Sequence, residues 1–549
     1  MNFLGNYQSV ASKASEWEQQ LKDDPDKTFL LAGIKNGFRI TNKGCKIAEA
    51  EAKNHKSATL HSRRTLVEKE LKTQIEQGNY VIASKKPAII SPLGAIPKDD
   101  GSVRLIHDGS LPEGFSMNEY TDHHSVRYQT LQDACRLAKP GYYCAKLDLQ
   151  SAYRSVPIHP DDYKATGLAW RFEGDDTDTY LCDARLPFGS ACGPSHFSRL
   201  SNAIRRMMYR KGYKGVVSYI DDFFLACETY EECKEALLYL INLVRKLGLR
   251  VRWEKVVSPT KHVTFLGVDI DTNDCVLSLG ADKLNMLHDK LKAFKQRQRA
   301  TKVQLQSLAG SLNWARQVVR GGRFFLRRIL DSIKPLRQAK HKTKLNAEFR
   351  KDLAWWLTFL STFNGRQYYT DRHDVHVLTD ACCTASGCFW AGDWHYSVFH
   401  ADWPKVTAMH INYKEVCAVA SAVARWAPLW AGRTVVVHAD SAVTKAILNK
   451  GRSKNAFIND VLRAVCWRSV TFDFELRAIH VPGCLIGIPD AISRLHETGQ
   501  PERLARLLSY WHHGRPPPAP IAAHMSWPSY HFLCQQVQQR SWRRNCRLK

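Results

Sequence analysis

The spacing of apolar residues predicts helices in two parts of the chain. Leu60, Val67, Leu71 and Ile75 recur at the helical period and predict an amphipathic helix. The polar N-terminal stretch up to Ile75 has a mostly helical pattern as a whole. Residues 281–338 repeat the pattern among many basic side chains, which predicts a group of basic amphipathic helices.

The alternation of strands and helices predicts two further regions. Over residues 81–279, short apolar strands alternate with turns and helices, which is typical of an α/β domain. The same pattern returns after Val375, where one strand ends at Asp380, a helix surrounds Glu415 and another strand ends at Asp440. The sequence therefore predicts a multidomain α/β (α+β) protein.

Changes in pattern and composition divide the chain into five segments. A polar, basic stretch at residues 338–344 has the character of a linker, and the run from Arg515 to Pro518 breaks regular structure. The predicted segments are an N-terminal helical extension at 1–78, an α/β domain at 79–280, a helical region at 281–369, a second α/β domain at 370–497 and a basic, proline-containing tail at 498–549.

The charge balance favours nucleic acid as a partner. The chain has 79 Lys and Arg residues against 53 Asp and Glu residues, and the formal net charge of +26 is spread along it. Such a field attracts polyanions, although a solubility surface or a packing protein of ribosomes or chromatin is an alternative. The 44% hydrophobic content and the 15 Trp residues provide real cores, which excludes a disordered basic protein.

The cysteines and the hydropathy limit the class and the compartment. None of the 16 Cys residues lies at C-x-x-C spacing, which argues against zinc fingers and redox dithiols. Scattered thiols suit a reducing compartment. The sequence shows no signal peptide, and no apolar run approaches the roughly 20 residues of a membrane span. We therefore expect an intracellular protein, cytoplasmic, nuclear or both, with no membrane partner.

Two adjacent acids interrupt an apolar hairpin. Asp221 and Asp222 lie between strand-like flanks, and Asp148 lies in a second apolar strand. Adjacent carboxylates repel each other unless a cation compensates them. Three such carboxylates suit a pair of Mg²⁺ ions that serve nucleotidyl transfer. An ordinary hairpin turn is the alternative, which the distant Asp148 strand weakens.

The order of motifs resembles the reverse transcriptases of retroviruses and long-terminal-repeat retroelements. Six motifs in the family's order are far more specific than YIDD alone. The resemblance implies a right-hand polymerase fold, with fingers and palm over residues 79–280 and a thumb and connection over 281–369. The matching runs are SPLGAIPKDDGSVRLIHDGSLP, KLDLQSAYRSVPI, LPFGSACGPSHF, YIDD, GLRVRWEK and VTFLGVDI.

The resemblance assigns roles to the acids and to one tyrosine. It implies that Asp148, Asp221 and Asp222 are catalytic metal ligands and that the Leu149 carbonyl adds a further ligand. It also implies that Tyr153 stacks under the sugar and excludes a 2′-hydroxyl, so that dNTPs are preferred to NTPs. An ordinary core tyrosine is the alternative for Tyr153.

The resemblance assigns the other substrate contacts as well. It implies that Lys98 and Arg104 hold the triphosphate, which suits their charge-assisted contacts to phosphate. Gly189 would let the backbone approach the template–primer, and Lys255 would protonate pyrophosphate. Phe188 stands where retroviral enzymes carry Gln, a departure that other retroelement enzymes share.

Four acids in the second α/β region form another set. Asp380, Glu415, Asp440 and Asp490 lie at strand ends and on helices, where a single acid is more often a cap or a surface residue. Their surroundings, TDAC, NYKEVCAV, HADSAV and HVPGCLIGIPDAISR, resemble the ribonuclease H of retroelements. The resemblance implies a ribonuclease H-like α/β domain in which these acids hold two metal ions and His480 assists product departure.

Three further runs narrow the kind of retroelement. DPDKTFLLAGIKNGFRI, RLIHDGSLPEGFSMNEY and HINYKE resemble DIRS-type elements, which pair reverse transcriptase with a tyrosine recombinase. The resemblance implies an RNA template, a DNA primer, an RNA–DNA hybrid and dNTPs as partners, with a tyrosine recombinase and a capsid-like protein of the same element. It implies Mg²⁺ as cofactor, two ions per active site, with Mn²⁺ as a substitute.

Two other functions stay open on the sequence. An RNA-templated RNA polymerase shares the palm chemistry, but Tyr153 and the nuclease motifs argue against it. The second is a domesticated or inactive retroelement-derived protein that binds nucleic acid. Such a protein has no chemical need to keep all seven carboxylates.

Overall fold

The computed structural model describes residues 9–42, 44–98, 101–121, 126–369, 372–402 and 404–512. The chain divides into two compact units, residues 1–276 and 277–549. The breaker at 515–518 and the rest of the basic tail beyond residue 512 lie outside the described residues. So do Asp99 and Asp100 of the first polymerase-like motif.

The first unit alternates strands with helices. Its helices are α1 Ala14–Gln20, α2 Lys27–Asn36, α3 Lys56–Thr59, α4 His61–Glu76, α5 Leu131–Leu137, α6 Gly193–Arg210 and α7 Tyr230–Lys246. Its strands are β1 Ala50–Glu51, β2 Tyr80–Ile82, β3 Ile89–Ile90, β4 Leu93–Pro97, β5 Val103–His107, β6 Tyr143–Asp148, β7 Gly167–Trp170, β8 Thr179–Asp183, β9 Val216–Tyr219, β10 Asp222–Cys227, β11 Val257–Thr260, β12 His262–Phe265 and β13 Val268–Asp271.

The core sheet of the first unit has the strand order β11, β6, β10, β9, and all its pairs are antiparallel. The central strand β10 is covered on both faces, so its side chains are apolar without alternation. Phe223 and Leu225 join the core formed with helices α6 and α7, whereas Phe224 packs against Phe265 of β12 with ring centroids 5.0 Å apart. This burial fixes the register of the strands that carry the acids.

The helix predicted from Val67 and Leu71 is confirmed as α4, and both side chains are buried. The segment before it is not an extension, in contrast to the expectation for residues 1–78. Trp17 and Leu30 are fully buried in the core of the first unit, and the Trp17 indole donates a hydrogen bond to the Leu247 carbonyl at 2.9 Å. A helical pattern predicts a helix but does not identify the surface on which the helix packs, so the pattern did not reveal this docking.

The second unit begins with helices and continues as a mixed sheet. Its helices are α8 Ala281–Gln296, α9 Lys302–Ala315, α10 Arg327–Ile333, α11 Ala347–Phe359, α12 Phe399–Asp402, α13 Ile411–Trp426, α14 Ala442–Lys450, α15 Ala456–Thr471, α16 Gly487–Ser493 and α17 Gln500–His512. Its strands are β14 Val276–Ser278 at the unit boundary, β15 Arg299–Thr301, β16 Lys342–Lys344, β17 Arg366–Gln367, β18 Asp374–Ala381, β19 Ala385–Trp390, β20 Asp393–Val398, β21 Thr434–Ala439 and β22 Glu475–His480.

Helices α8, α9 and α10 confirm the helical pattern predicted for residues 281–338. The stretch at 338–344 is not a plain linker. It contains β16, which pairs antiparallel with β15, so that Lys342 lies opposite Thr301. A short polar pair on the surface has no apolar signature that would identify a strand.

The large sheet of the second unit has the order β20, β19, β18, β21, β22. Strands β18, β21 and β22 are parallel, and β19 and β20 continue antiparallel from β18. One face packs against α13 and α15, and the other against α16 and α17. Helix α17 buries Leu504, Leu507 and Trp511 there, so residues 500–512 belong to this fold and not to the tail predicted from residue 498.

Within the part of the chain that the structure describes, no helix is both long and apolar enough to span a membrane.

Candidate active sites

A pinned turn between β9 and β10 presents two acids at one end of the core sheet. Ile220 has a φ of +53°, a left-handed conformation that is unfavourable for a β-branched residue and must be held by its surroundings. Its carbonyl accepts a hydrogen bond from the Ser201 hydroxyl of α6. The next carbonyl, of Asp221, accepts from the Leu149 N–H at 3.0 Å. The turn is therefore fixed from both sides.

Three carboxylates meet at this end of the sheet. Asp222 lies directly opposite Asp148 in the pairing of β10 with β6, and Asp221 precedes it in the turn. Burial raises the pKa of Asp221, and the nearby charges of Asp222 and Asp148 raise it further. Burial also raises the pKa of Asp222, and Asp148 adds to that rise. The cluster therefore favours either protons or added cations.

Two lysines supply part of the missing positive charge. Lys255 Nζ lies 3.2 Å from Asp148 Oδ2, and Lys146 Nζ lies 3.2 Å from Asp222 Oδ1. Lys255 was singled out from its motif, whereas Lys146 was missed. The signal was available, because Lys146 precedes Asp148 by two residues on β6 and so shares its face.

Tyr153, the residue predicted to exclude a 2′-hydroxyl, follows Asp148 closely in the chain. Tyr153 is half-buried in a short 3₁₀ helix, Ala152–Ser155, and stacks on Phe188 with ring centroids 5.2 Å apart and planes at 18°. Burial raises the pKa of Tyr153. Gly189 has a φ of +119°, and a Cβ there would collide with the His107 carbonyl oxygen. Only glycine fits this backbone path.

Lys98 and Arg104 lie at the β4–β5 hairpin and are exposed. The Lys98 N–H donates to the Ser102 carbonyl at 2.8 Å, and Arg104 lies opposite Ile96. Among the described residues, no hydrogen bond or ion pair joins either side chain to the three carboxylates. Their predicted contact with a triphosphate stays a prediction.

A second carboxylate cluster lies in the second unit. Asp380 of β18, Glu415 of α13 and Asp440, which directly follows β21, bring ligand oxygens within 4.8 Å of one another. Burial raises the pKa of Asp380 to about 6, and Asp490 and Asp440 contribute to the rise. Burial raises the pKa of Glu415 well above its usual value, with additions from Asp380 and Asp440.

Hydrogen bonds orient two of these acids. The Ala381 N–H donates to Glu415 Oε1 at 3.0 Å, and the Ser493 hydroxyl of α16 donates to Asp380 Oδ2 at 2.7 Å. Glu415 Oε2 is buried and has no hydrogen-bond partner among the described residues. A buried carboxylate oxygen without a donor is an open ligand position.

The fourth predicted acid is bound by two arginines. The two oxygens of Asp490 accept hydrogen bonds from Arg494 at 2.9 Å and from Arg503 at 2.7 Å. Sequence reasoning missed Arg503, because it lies in the segment assigned to the tail. His480 is exposed at the end of β22, opposite Ala439 of β21.

Both clusters fit a hard divalent cation. Their acids offer oxygen donors only, and each cluster has a buried carboxylate oxygen without a hydrogen-bond partner among the described residues, Asp148 Oδ1 in the first and Glu415 Oε2 in the second. Carboxylate oxygens are the ligands that Mg²⁺, Mn²⁺ and Ca²⁺ accept. The donor sets therefore suit a divalent metal, and their geometry alone does not select which one.

Comparison with protein families identifies part of the chain. Residues 96–270 match the family described as reverse transcriptase (RNA-dependent DNA polymerase). This range contains both strands of the first carboxylate cluster. The chain therefore carries a reverse transcriptase domain.

Its relatives are polyproteins of viruses and transposons. The chain is 26% identical over 371 residues to the genome polyprotein of Petunia vein clearing virus, covering 65% of this chain and 15% of the polyprotein. It is 22% identical over 451 residues to the Tf2-3 transposon polyprotein of Schizosaccharomyces pombe, covering 78% and 31%. The chain thus spans less than a third of the length of either relative.

Solved structures show the same fold. A foamy viral protease-reverse transcriptase, solved in complex with an RNA/DNA hybrid, superposes with a TM-score of 0.52 at 17% identity, covering 87% of this chain and 64% of that one. The fold class is therefore confirmed: a polymerase fold is followed along the chain by a ribonuclease H-like domain.

Proposed function

We propose that the chain is an RNA-directed DNA polymerase with a fused ribonuclease H that replicates a retrotransposon. The observation that carries the polymerase is the pairing of Asp148 with Asp222, beside the Asp221 turn, inside the range that matches reverse transcriptases. The second carboxylate cluster, on the other unit, supports the nuclease.

In the polymerase site, Asp148, Asp221, Asp222 and the Leu149 carbonyl would hold the metal. Two Mg²⁺ ions, or Mn²⁺ in their place, would supply Lewis acidity to the primer hydroxyl and the leaving pyrophosphate. Lys255 now neutralises Asp148 at 3.2 Å. If a cation took up the charge of Asp148, the Lys255 ammonium group would be available to donate a proton to pyrophosphate.

The substrate would lie against the aromatic pair. The stacked rings of Tyr153 and Phe188 form a rigid wall, which would fill the space of a 2′-hydroxyl and favour dNTPs. Gly189 keeps the backbone free of a side chain beside this wall. Lys98 and Arg104, both exposed on the β4–β5 hairpin, would contact the triphosphate.

In the nuclease site, Asp380, Glu415 and Asp440 would hold two divalent ions that activate water against an RNA phosphodiester. Asp490 would complete the set after release from its arginines. His480, exposed beside the strand that leads to Asp440, would carry a proton during product departure.

The retroelement assignment extends this proposal. The relatives are polyproteins, which supports an RNA template, a DNA primer, dNTPs and an RNA–DNA hybrid as substrates. The DIRS-like runs add a tyrosine recombinase and a capsid-like protein of the same element as partners. Fingers and palm would occupy residues 79–280 and the thumb and connection 281–369, and the nuclease would begin at 370 and extend through α17.

Two assays on the purified chain test the proposal: dNTP incorporation on a primed RNA template and cleavage of RNA in an RNA–DNA hybrid, each with Mg²⁺ or EDTA. We expect both activities with Mg²⁺ and neither with EDTA. Incorporation without cleavage would remove the nuclease. Nucleic-acid binding without either activity would favour the inactive, domesticated alternative.

A further inference from the structure

The second unit contains a cavity of about 330 Å³, and its lining does not include Asp380, Glu415 or Asp440 of the second carboxylate cluster. We call it the basic cavity. Helices α10, α11 and α15 and the residues just before α11 and α15 form it. Its lining residues are Arg327, Arg328, Asp331, Ser332, Pro335, Thr343, Lys344, Asn346, Glu348, Lys454, Ala456, Asn459, Asp460 and Arg463.

Two helices begin at this cavity. Asn346 caps α11 by accepting from the Phe349 N–H at 2.9 Å, and Asn455 caps α15 by accepting from the Ile458 N–H at 3.2 Å. The helices have 13 and 16 residues, long enough for an aligned dipole. Each start therefore adds partial positive charge and unpaired N–H groups at the cavity.

The cavity lining has a positive balance. Five cationic side chains face three carboxylates, and Arg328 engages two of those carboxylates itself, Glu348 at 2.7 Å and Asp460 at 2.8 Å. Arg327 takes the third, Asp331, at 3.0 Å. The fully buried Asp352, outside the lining, also pairs with Arg328. With Asp352 included, five cations face four carboxylates, which leaves a net charge of +1 at the cavity.

Three cations of the lining, Arg463, Lys344 and Lys454, keep donors without a hydrogen-bond partner among the described residues. Arg463 is only 9% exposed, and one guanidinium nitrogen, Nη1, donates to Asp460 at 2.8 Å. Its Nε and Nη2 are buried without a hydrogen-bond partner among the described residues, although Nη2 lies 3.6 Å from Asp352. Lys344 and Lys454 are exposed and form no ion pair with any described residue. Buried donors left unpaired destabilise a protein unless a ligand accepts from them.

We propose that the basic cavity binds a phosphate group. A phosphate offers several acceptor oxygens in a compact anion, which suits two free ammonium groups and two helix starts, and the Arg463 guanidinium adds its charge to the lining. The group would come either from a small phosphate or from the end or backbone of a nucleic-acid strand. The site does not depend on the two carboxylate clusters.

Calorimetric titration of the full chain tests this site. The probes are sodium pyrophosphate and, separately, a short single-stranded DNA with a 5′-phosphate, both in EDTA so that no metal brings phosphate to the carboxylates. The test variant is Lys344→Gln with Lys454→Gln, since both side chains are exposed and the fold does not use them. The control is Lys340→Gln with Lys450→Gln, which removes the same charge outside the lining.

We expect the test variant to bind about tenfold more weakly than the parent, with the control close to the parent. Loss with pyrophosphate identifies a small phosphate as a sufficient ligand. Loss with the DNA alone identifies a nucleic-acid strand as the source. The proposal is overturned if neither probe binds the parent, or if the test and control variants weaken binding equally.

Discussion

At the scale of single residues, this molecule keeps several polar groups buried where water cannot satisfy them. The acids at both clusters have raised pKa values because burial and like charge disfavour ionisation. Lys146 and Lys255 offset part of that charge in the first cluster, whereas no lysine or arginine forms an ion pair with Asp380, Glu415 or Asp440 among the described residues of the second. The second cluster therefore depends more on added cations.

Tyr153→Ala should admit ribonucleotides into DNA. Removing the ring opens the space beside Phe188 and takes away steric exclusion, while loss of a packed aromatic also costs about 3 kcal/mol of stability. The measurement is the dNTP-to-NTP incorporation ratio, with Tyr153→Phe as the variant that keeps the ring. An unchanged ratio in a folded Ala variant would show that Tyr153 is not the gate.

His107 should make the first unit sensitive to acid. It is 1% exposed, neither ring nitrogen has a hydrogen-bond partner among the described residues, and burial, with the charge of Arg154, lowers its pKa to about 3. The unfolded chain binds this proton near pH 6.5, so the stability from a neutral His107 is complete above that pH and is lost as pH falls towards 3. The loss at pH 5 is about 2 kcal/mol.

The free energy of unfolding of the parent and of His107→Leu, measured by denaturant unfolding at pH 7.5 and pH 5, tests whether His107 lowers stability in acid. We expect the variant to lose less stability on acidification than the parent, with little change at pH 7.5, because Leu leaves no unpaired donor. His61→Leu, at an exposed position on α4, is the control and should keep the parent's slope. A parent-like slope for His107→Leu would assign the acid sensitivity to other groups.

At the scale of elements, strands place the acids and helices hold them there. Two hydrogen bonds, from the Ser201 hydroxyl and the Leu149 N–H, hold the turn of the β9–β10 hairpin and so fix the position of Asp221. In the second unit, α16 and α17 also hold acids in place. Ser493 of α16 donates a hydrogen bond to Asp380, and Arg503 of α17 donates one to Asp490. Each site thus depends on helices that contribute few or no metal ligands: α6 and α17 carry none of the proposed ligands, and α16 carries only Asp490.

Trp511→Ala should release α17 and weaken the nuclease. Trp511 is 3% exposed and packs edge-on against Phe389 with centroids 4.8 Å apart, so its removal costs about 3–5 kcal/mol. Loosening α17 also frees Arg503 from Asp490. We expect hybrid cleavage to fall more than DNA synthesis, whereas Arg506→Ala on the exposed face leaves both unchanged. Equal activities in the parent and in Trp511→Ala would show that hybrid cleavage does not depend on α17.

At the scale of the whole molecule, the two carboxylate clusters belong to different compact units. Neither cluster shares a residue or a hydrogen bond with the other among the described residues. The proposed polymerase and nuclease should therefore be separable by single substitutions, while the net charge of +26 would favour nucleic-acid binding by either unit.

Asp221→Asn should abolish DNA synthesis and spare RNA cleavage. It removes one charge from the set that would hold the metal, where most transition-state stabilisation arises, so synthesis should fall by at least about a hundredfold. Primer extension and hybrid cleavage are measured on the same preparation. Asp176→Asn, at an exposed position in the same unit, is the matched control. Equal loss of both activities in the folded variant would contradict separate sites.

Asp440→Asn should have the opposite effect. Hybrid cleavage should stop and synthesis continue, whereas a mere helix-capping role predicts no change, because Asn caps about as well as Asp. Removing one of three clustered charges relieves repulsion, so thermal stability in EDTA should hold or rise slightly. Asp289→Asn on α8 is the control. Cleavage at the parent rate would exclude Asp440 from the metal site.

The sequence by itself determined the fold class and most of the candidate chemistry. Apolar runs and their flanks located β6, β10, β18 and β21, and the motifs identified the acids at or beside the ends of these strands. Such signals are local, because a two-residue period and a short motif are complete within one element. The sequence grouped Asp148 with Asp221 and Asp222 as one set of ligands, and the strand register now places Asp148 opposite Asp222.

Only the tertiary structure decided how distant side chains meet. The docking of Trp17, the packing of α17 on the sheet and the cavity around Arg463 each join segments far apart in the chain, and the ion pair of Arg503 with Asp490 joins two separate helices. Helix α17 has a helical repeat of Leu504, Leu507 and Trp511, but the repeat does not identify the sheet that the helix covers. A single anchor or ion pair has no repeat at all, because its partner lies outside the local sequence. Those contacts exist only once the sheets have brought their elements together.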